Sequence, residues 1–262
     1  MSVQTNMQKR WIKTNAEIVA LEASGKRLAQ VVEKLLAAAS VGVSTGRLGE
    51  LADTLIRESG GDPIFKGYGK AWGAPPFPAS VCLSLNDEIV HGIPDNRRML
   101  KDGDLLKIDI GMRYRGMVSD MARMKIIGEH SPGAAKIKEV TEAALEAGML
   151  TLRNGSSIDA YAQAVEGVAK AAGYACVRDL VGHGVGRELH EEPQIPNYIG
   201  SGLPNIHFVT GMTVALEPMI NQGTHQAKLA SDGWTFVTAD GALSGHAEHT
   251  VLITDDGYRI LT

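Results

Sequence analysis

The chain has 262 residues, 44% of them hydrophobic, with a net charge of -4 and a pI near 6.1. That composition can bury one large core and lacks the basic excess of a nucleic-acid binder. It contains no run of the roughly 20 apolar residues that a membrane helix needs. Met1 to Trp11 is polar and has no signal-peptide apolar run. The two cysteines, Cys82 and Cys176, form neither a disulfide framework nor a zinc motif, which fits a reducing cytoplasm.

Residues 1–12 read as a flexible tail, and 13–262 as a single domain with halves at about 13–130 and 131–262. Thr14 and Glu17 form a capping box, after which Leu21, Gly25, Leu28, Val32, Leu35 and Ala39 recur at helical spacing. Gly42 and Ser44 break that helix. Leu48, Leu51, Ala52, Leu55 and Ile56 mark a second, closed by Gly60 and Gly61. The order then repeats. Residues 133–152 predict a helix, Gly155 and Ser157 a break, and Tyr161 to Ala172 another helix ended by Gly173. An offset of 113 aligns Gly42 with Gly155, Ser44 with Ser157 and Gly60 with Gly173, which hints at two related halves. Strands follow each helix pair. Leu106, Ile108, Ile110 and Met112 alternate with Lys107, Asp109 and Gly111. Val214 to Glu217 and Glu248 to Ile253 are further short strands, and residues 193–205 read as loop.

Four carboxylates fall inside or beside these apolar strands. A hairpin turning between Tyr114 and Arg115 would set Asp109 opposite Asp120, with Cβ atoms about 5 Å apart. Pro218 pushes Glu217 toward extended geometry, and Glu248 heads an apolar run. Any one of these could be a solvated residue on a strand edge. Four together favour a shared buried cation site, because glutamate and aspartate are almost never buried without partners. His183 and His190 flank Gly-Val-Gly-Arg-Glu-Leu, where Gly182, Gly184 and Gly186 oppose a helix and let both rings face one cavity. Arg187 breaks the G-x-G-x-x-G spacing of a phosphate cradle. His91 lies in a tight His-Gly-Ile-Pro turn. A structural hydrogen bond is the ordinary role for any single histidine of this kind. Hard oxygen donors with one imidazole suit divalent Mn, Fe, Co or Zn, and four negative charges match two such ions. This donor set points to a dimetal hydrolase acting on an amide near a free amino group.

The stretches SVCLSLNDEIVHGIPDNRRMLKDGDLLKIDIGMRYRGMVSD, GHGVGRELHEEPQ, TVALEP and EHTVLIT resemble those of type I methionine aminopeptidases, and the likeness covers nearly the whole chain. The resemblance implies an α+β pita-bread fold: two pseudo-twofold-related αβ halves, an antiparallel sheet covered by helices, and the metals between the halves. It implies Asp109, Asp120, His183, Glu217 and Glu248 as metal ligands. Asp109 and Glu248 would be bidentate or bridging, and Asp120 and Glu248 would touch both ions. Glu217 would also shuttle a proton for a metal-bridged hydroxide. His190 would bind the scissile carbonyl, and His91 would contact the peptide nitrogen. Asn86 and Ser244 match positions that bind a monovalent cation in some relatives. Cys82, Phe77, His91, His190, Leu189 and Trp234 would form the methionine pocket. The implied substrates are the N-termini of nascent polypeptides near the ribosome whose second residue is small. The implied enzyme is a cytoplasmic monomer of the short bacterial type, with no nucleic-acid or membrane partner.

Several positions depart from the family pattern. Leu189 replaces a Phe, Ala71 and Ala74 replace larger residues, and Met121 replaces a Thr. His246 and Ala247 stand where glutamine and an aromatic are usual. Leu189 and Ala247 are therefore expected to enclose methionine less completely, with Trp72 or His246 able to refill the space. The rival readings are an aminopeptidase P or prolidase, which usually carry an added N-terminal domain, and an inactive binding relative, which would commonly have lost metal ligands.

Overall fold

In a computed structural model, the structure describes residues 10–70, 75–129 and 131–262. Helix α1 (Asn15–Ala38) starts at Thr14, whose side chain accepts from the Glu17 amide while the Glu17 carboxylate accepts from the Thr14 amide, as the capping box predicts. Helix α2 (Thr45–Glu58) is capped by Ser44, α3 (Pro132–Met149) by Ser131, and α4 (Ile158–Ala171) by Ser157. In each case the cap hydroxyl accepts from the amide three residues on.

The described strands are β1 (Asp62–Pro63), β2 (Cys82–Leu85), β3 (Glu88–Val90), β4 (Leu105–Tyr114), β5 (Met117–Ile126), β6 (Ala175–Cys176), β7 (Gly182–Gly184), β8 (Glu191–Ile195), β9 (Thr213–Leu216), β10 (Met219–Asn221), β11 (Ala227–Leu229), β12 (Phe236–Thr238), β13 (Ser244–His246), β14 (Glu248–Ile253) and β15 (Tyr258–Ile260). The main sheet runs β1-β4-β5-β14-β9-β7-β8, with β2 also on β4 and β15 also on β14, and its pairs are antiparallel. The helices cover one of its faces. Leu28, Val32 and Leu35 of α1 pack with Leu106, Ile108, Ile110 and Met112 of β4. Ile137, Leu145, Tyr161 and Val165 of α3 and α4 pack with Val214, Leu216 and Val251. The opposite face carries the site.

Three expectations are corrected. Arg115 and Gly116 form the two-residue β4–β5 turn, with φ of +50° and +79°. Positive φ at both positions gives the turn the twist of a tight hairpin. The register therefore pairs Asp109 with Ala122 and Gly111 with Asp120, so the two aspartates are diagonal neighbours on one face and not opposite each other. Residues 193–195 are not loop but part of β8. This is an edge strand, where proline is tolerated because it has no N–H to donate. The expected tail is firmly held at its inner end: Trp11 is buried, Ile12 bridges to Met212, and Arg187 donates to the carbonyls of Arg10 and Ile12. Residues 1–9 lie outside the described residues.

Candidate metal centre

The sheet register brings the donors together. Asp109, Ala122 and Glu248 lie side by side across β4, β5 and β14. Two residues along, Asp120 touches Thr250, and Thr250 pairs with Ala215, which pairs with His183. Side chains two apart on a strand share a face, so these two rows face the same cavity. Glu217 sits one residue beyond β9, beside the start of β14. The residues between the donors are small (Gly111, Ala122, Ala215), which leaves the space open. Gly182 and Gly184 are required for close packing: a Cβ there would come within 2.6 Å of the Ala215 carbonyl oxygen and 2.4 Å of the Glu192 carbonyl oxygen, respectively.

The cavity holds about 200 Å³ and is lined by Asp109, Asp120, His183, Glu217 and Glu248, together with Cys82, Phe77, His91, Leu189, His190 and Trp234. Every expected ligand and pocket residue is therefore in one place. Ligand atoms of Asp120, His183 and Glu248 lie within 4.8 Å of one another. His183 Nε2 is 3.3 Å from Glu217 Oε1. His183 Nδ1 is 2.9 Å from the Gly184 carbonyl, which makes Nδ1 the protonated nitrogen and leaves Nε2 free to ligate.

The electrostatics call for a cation. Burial pushes Asp109, Glu217 and Glu248 well above the usual carboxylate range, and neighbouring carboxylates push them further. Burial pushes Asp120 up to about 7. Burial and the nearby His190 drive His183 down to about 3, so its ring is neutral. Glu248 Oε1 is buried with no hydrogen-bond partner among the described residues. Neutral imidazole, four crowded carboxylates and an orphaned oxygen fit divalent ions bound by hard donors.

Beside these donors, the His183 and His190 ring centroids are 4.2 Å apart, and burial lowers His190 to about 4. The Tyr68 hydroxyl contacts His190 Nδ1. When that hydroxyl donates, His190 keeps its proton on Nε2. Burial, then His190, lowers His91 to about 4; its φ of +60° lies in the left-handed region that histidine enters more readily than most residues. Trp234 meets Phe77 edge-on at 5.3 Å, and its indole N–H donates to the Pro75 carbonyl.

Phe65 and Tyr68 also line the cavity; they sit in an irregular segment, where no periodicity marks them. Ala247 is a correction. Strand alternation turns it to the opposite face from Glu248, where it packs with Leu145 and Met149 under α3, so its small size does not open the methionine pocket. His246 does not line the cavity either. Ala71, Trp72 and Ala74 lie outside the described residues. The monovalent cation expected at Asn86 and Ser244 is also corrected: Lys107 Nζ donates to both of their carbonyl oxygens, at 2.8 and 2.9 Å, from a fully buried position. Burial lowers the Lys107 amine to about 7, and it fills the place between the two carbonyls.

The model of metallopeptidase family M24 matches residues 20–255. The chain is 40% identical to a methionine aminopeptidase of Clostridium acetobutylicum, over 96% of this chain and 98% of that one. It is 39% identical to methionine aminopeptidase 1 of Bacillus subtilis, over 95% and 98%. The solved methionine aminopeptidase of Thermotoga maritima superposes with a TM-score of 0.90 at 35% identity, covering 96% and 98% of the two chains. The prolidase of Pyrococcus furiosus, at 21% identity and a TM-score of 0.77, shares the fold alone, over 99% of this chain and 67% of that one. With its antiparallel sheet, its helix pairs and the five donors on one sheet face, the chain belongs to metallopeptidase family M24 and, within it, to the methionine aminopeptidases.

Proposed function

We propose that this chain uses two divalent ions to release the initiator methionine from polypeptides whose second residue is small. The observation that carries this reading is the single cavity where five metal-donor residues, two further histidines and an apolar pocket meet. Asp109, Asp120, His183, Glu217 and Glu248 would hold the ions. When bound, the ions supply Lewis acidity, polarising a carbonyl and acidifying a water. Glu217, held close to His183, receives the water's proton and returns it to the leaving amine. His190 donates from Nε2 to the carbonyl oxygen as negative charge grows there. His91 contacts the peptide nitrogen and fixes the scissile bond. Phe77, Cys82, Leu189 and Trp234 exclude water around the methionine side chain, and the aromatic rings suit its thioether. The substrates are N-termini of nascent chains near the ribosome, and the enzyme works as a cytoplasmic monomer. Among the described residues, no helix is long and apolar enough to cross a membrane.

The test is hydrolysis by metal-reconstituted protein of peptides that vary at the first two residues. Met-Ala and Met-Gly peptides are cleaved, and Met-Lys and Met-Leu peptides poorly. Equal rates across this set would contradict the processing role. Leu189 lines the pocket and is smaller than a phenylalanine, so the first position tolerates leucine and norleucine. Leu189→Phe is expected to lower KM for Met peptides and raise the Met-over-Leu ratio by about fivefold, since about 1 kcal/mol of contact is at stake. An unchanged KM and ratio would remove residue 189 from specificity.

A further inference from the structure

His246 has no role in the chemistry above, yet its position is unusual. The ring is 1% exposed, and neither nitrogen has a hydrogen-bond partner among the described residues. A buried imidazole left in that state costs free energy, so the arrangement needs a reason. Pairing of β13 with β10 sets His246 across from Met219, two residues past Glu217. There His246 Nε2 lies 3.5 Å from Glu217 Oε2, while Glu217 Oε1 faces His183 Nε2 at 3.3 Å. The Glu217 carboxylate is thus held between two imidazoles, one on the cavity wall and one behind it.

We propose that His246 is a positioning residue that donates its Nε2 proton to Glu217 Oε2 and so fixes how Glu217 presents its other oxygen to the ions. The proposal rests on the reading of Glu217 as a metal ligand. A shift of about half an ångström brings the 3.5 Å contact to ordinary hydrogen-bond length. Ligating carboxylates are oriented by such outer partners, and loss of one costs about 10–100-fold in metal affinity or activity. The ring itself stays off the cavity wall, so it acts through Glu217 and touches neither substrate nor reacting atoms.

Metal-free protein is titrated with Co(II) by calorimetry, the Co(II) absorption spectrum is recorded, and kcat and KM are measured on a Met-Ala-Ser peptide. For His246→Leu, similar in bulk but with no donor, Co(II) affinity is expected to fall about 10–100-fold. The absorption bands should shift, and kcat should fall at nearly constant KM. His246→Gln, which restores an N–H donor, should recover most of the loss. A folded leucine variant with wild-type affinity, spectrum and kcat overturns the proposal, as does a glutamine variant as impaired as the leucine one. Should the leucine variant not fold, His246→Ala cannot overpack and is read in the same way. A wild-type protein that binds no Co(II) would instead bring down the metal reading of Glu217, and this proposal with it.

Discussion

The two halves of the molecule share one helical scaffold but carry different chemistry. Gly42 and Gly155 both have φ of +83°, and Gly60 and Gly173 have +79° and +77°. Ser44 and Ser157 cap α2 and α4, each 14 residues long, and each cap residue also makes an isolated bridge, to Met99 and His207. The strands that follow are unlike. In the first half, a hairpin of two ten-residue strands places Asp109 and Asp120 in mid-strand. In the second, the donors sit on short pieces: His183 in the three-residue β7, and Glu217 just past the four-residue β9. A repeated helix–turn–helix unit thus sets the outer layer. The reactive face lies on the strands, which are free to differ.

Substitutions in the shared metal centre should break both halves at once and have the largest effect. Asp109→Ala from the first half and Glu248→Ala from the last strand are each expected to abolish turnover and lower bound metal. Metal analysis and peptide assay check this, and a fully metallated, active variant would refute the shared site. Next in size are His190 and His91, proposed to act on the substrate. His190→Ala and His91→Ala should each lower kcat, by roughly 100-fold for the oxyanion donor, with metal content unchanged. Loss of metal in His190→Ala would show that the role is misassigned.

The pH dependence of metal binding separates the carboxylates from the scaffold. Asp120 moves from an ordinary aspartate value of 3.8 up to about 7 in the metal-free fold. A raised value means the folded state holds its proton more tightly. Its stabilising contribution is therefore present below about pH 4 and is lost as pH rises toward 7. Metal must displace that proton, so the gain in Tm on adding metal should widen from pH 5 to pH 7.5. A gain that is constant or narrows with pH would contradict the buried-carboxylate picture. Smallest are the effects on the repeated caps. Gly42→Ala and Gly155→Ala should each cost about 1–2 kcal/mol, since an L-residue resists the left-handed conformation. Ser44→Ala and Ser157→Ala should each cost about 1 kcal/mol. Ser44 also bonds Asn96 and should be the costlier of the two caps. Denaturation midpoints read all four, and unequal glycine costs would weaken the equivalence of the halves.

Much of this was legible in the sequence, for physical reasons. Helix ends are written locally, in Thr14, Ser44, Ser157 and the glycines, so they were readable residue by residue. The donors stood out because charge within apolar runs is rare. Register was harder: one residue in the turn position at Arg115-Gly116 decides whether Asp109 faces Asp120 or sits diagonal to it. In the sequence, Lys107 is one member of a simple alternation with Leu106 and Ile108. The sheet is covered on both faces, however, so alternation does not separate buried from exposed, and a fully buried lysine amine is not legible in it. Phe65 and Tyr68 reach the cavity from an irregular segment whose path depends on tertiary contacts. The side to which Ala247 points follows from the pairing of β14 and not from its neighbours in sequence.

The central claim is that donors from both halves assemble one two-ion site that drives the reaction. The most direct measurement is a calorimetric titration of metal-free protein with Mn(II) or Co(II), run alongside hydrolysis of Met-Ala-Ser. The account predicts two ions bound per chain, no turnover in the chelated protein, and turnover restored by metal. Binding of fewer than two ions by the fully active protein, or activity that survives chelation, would contradict it.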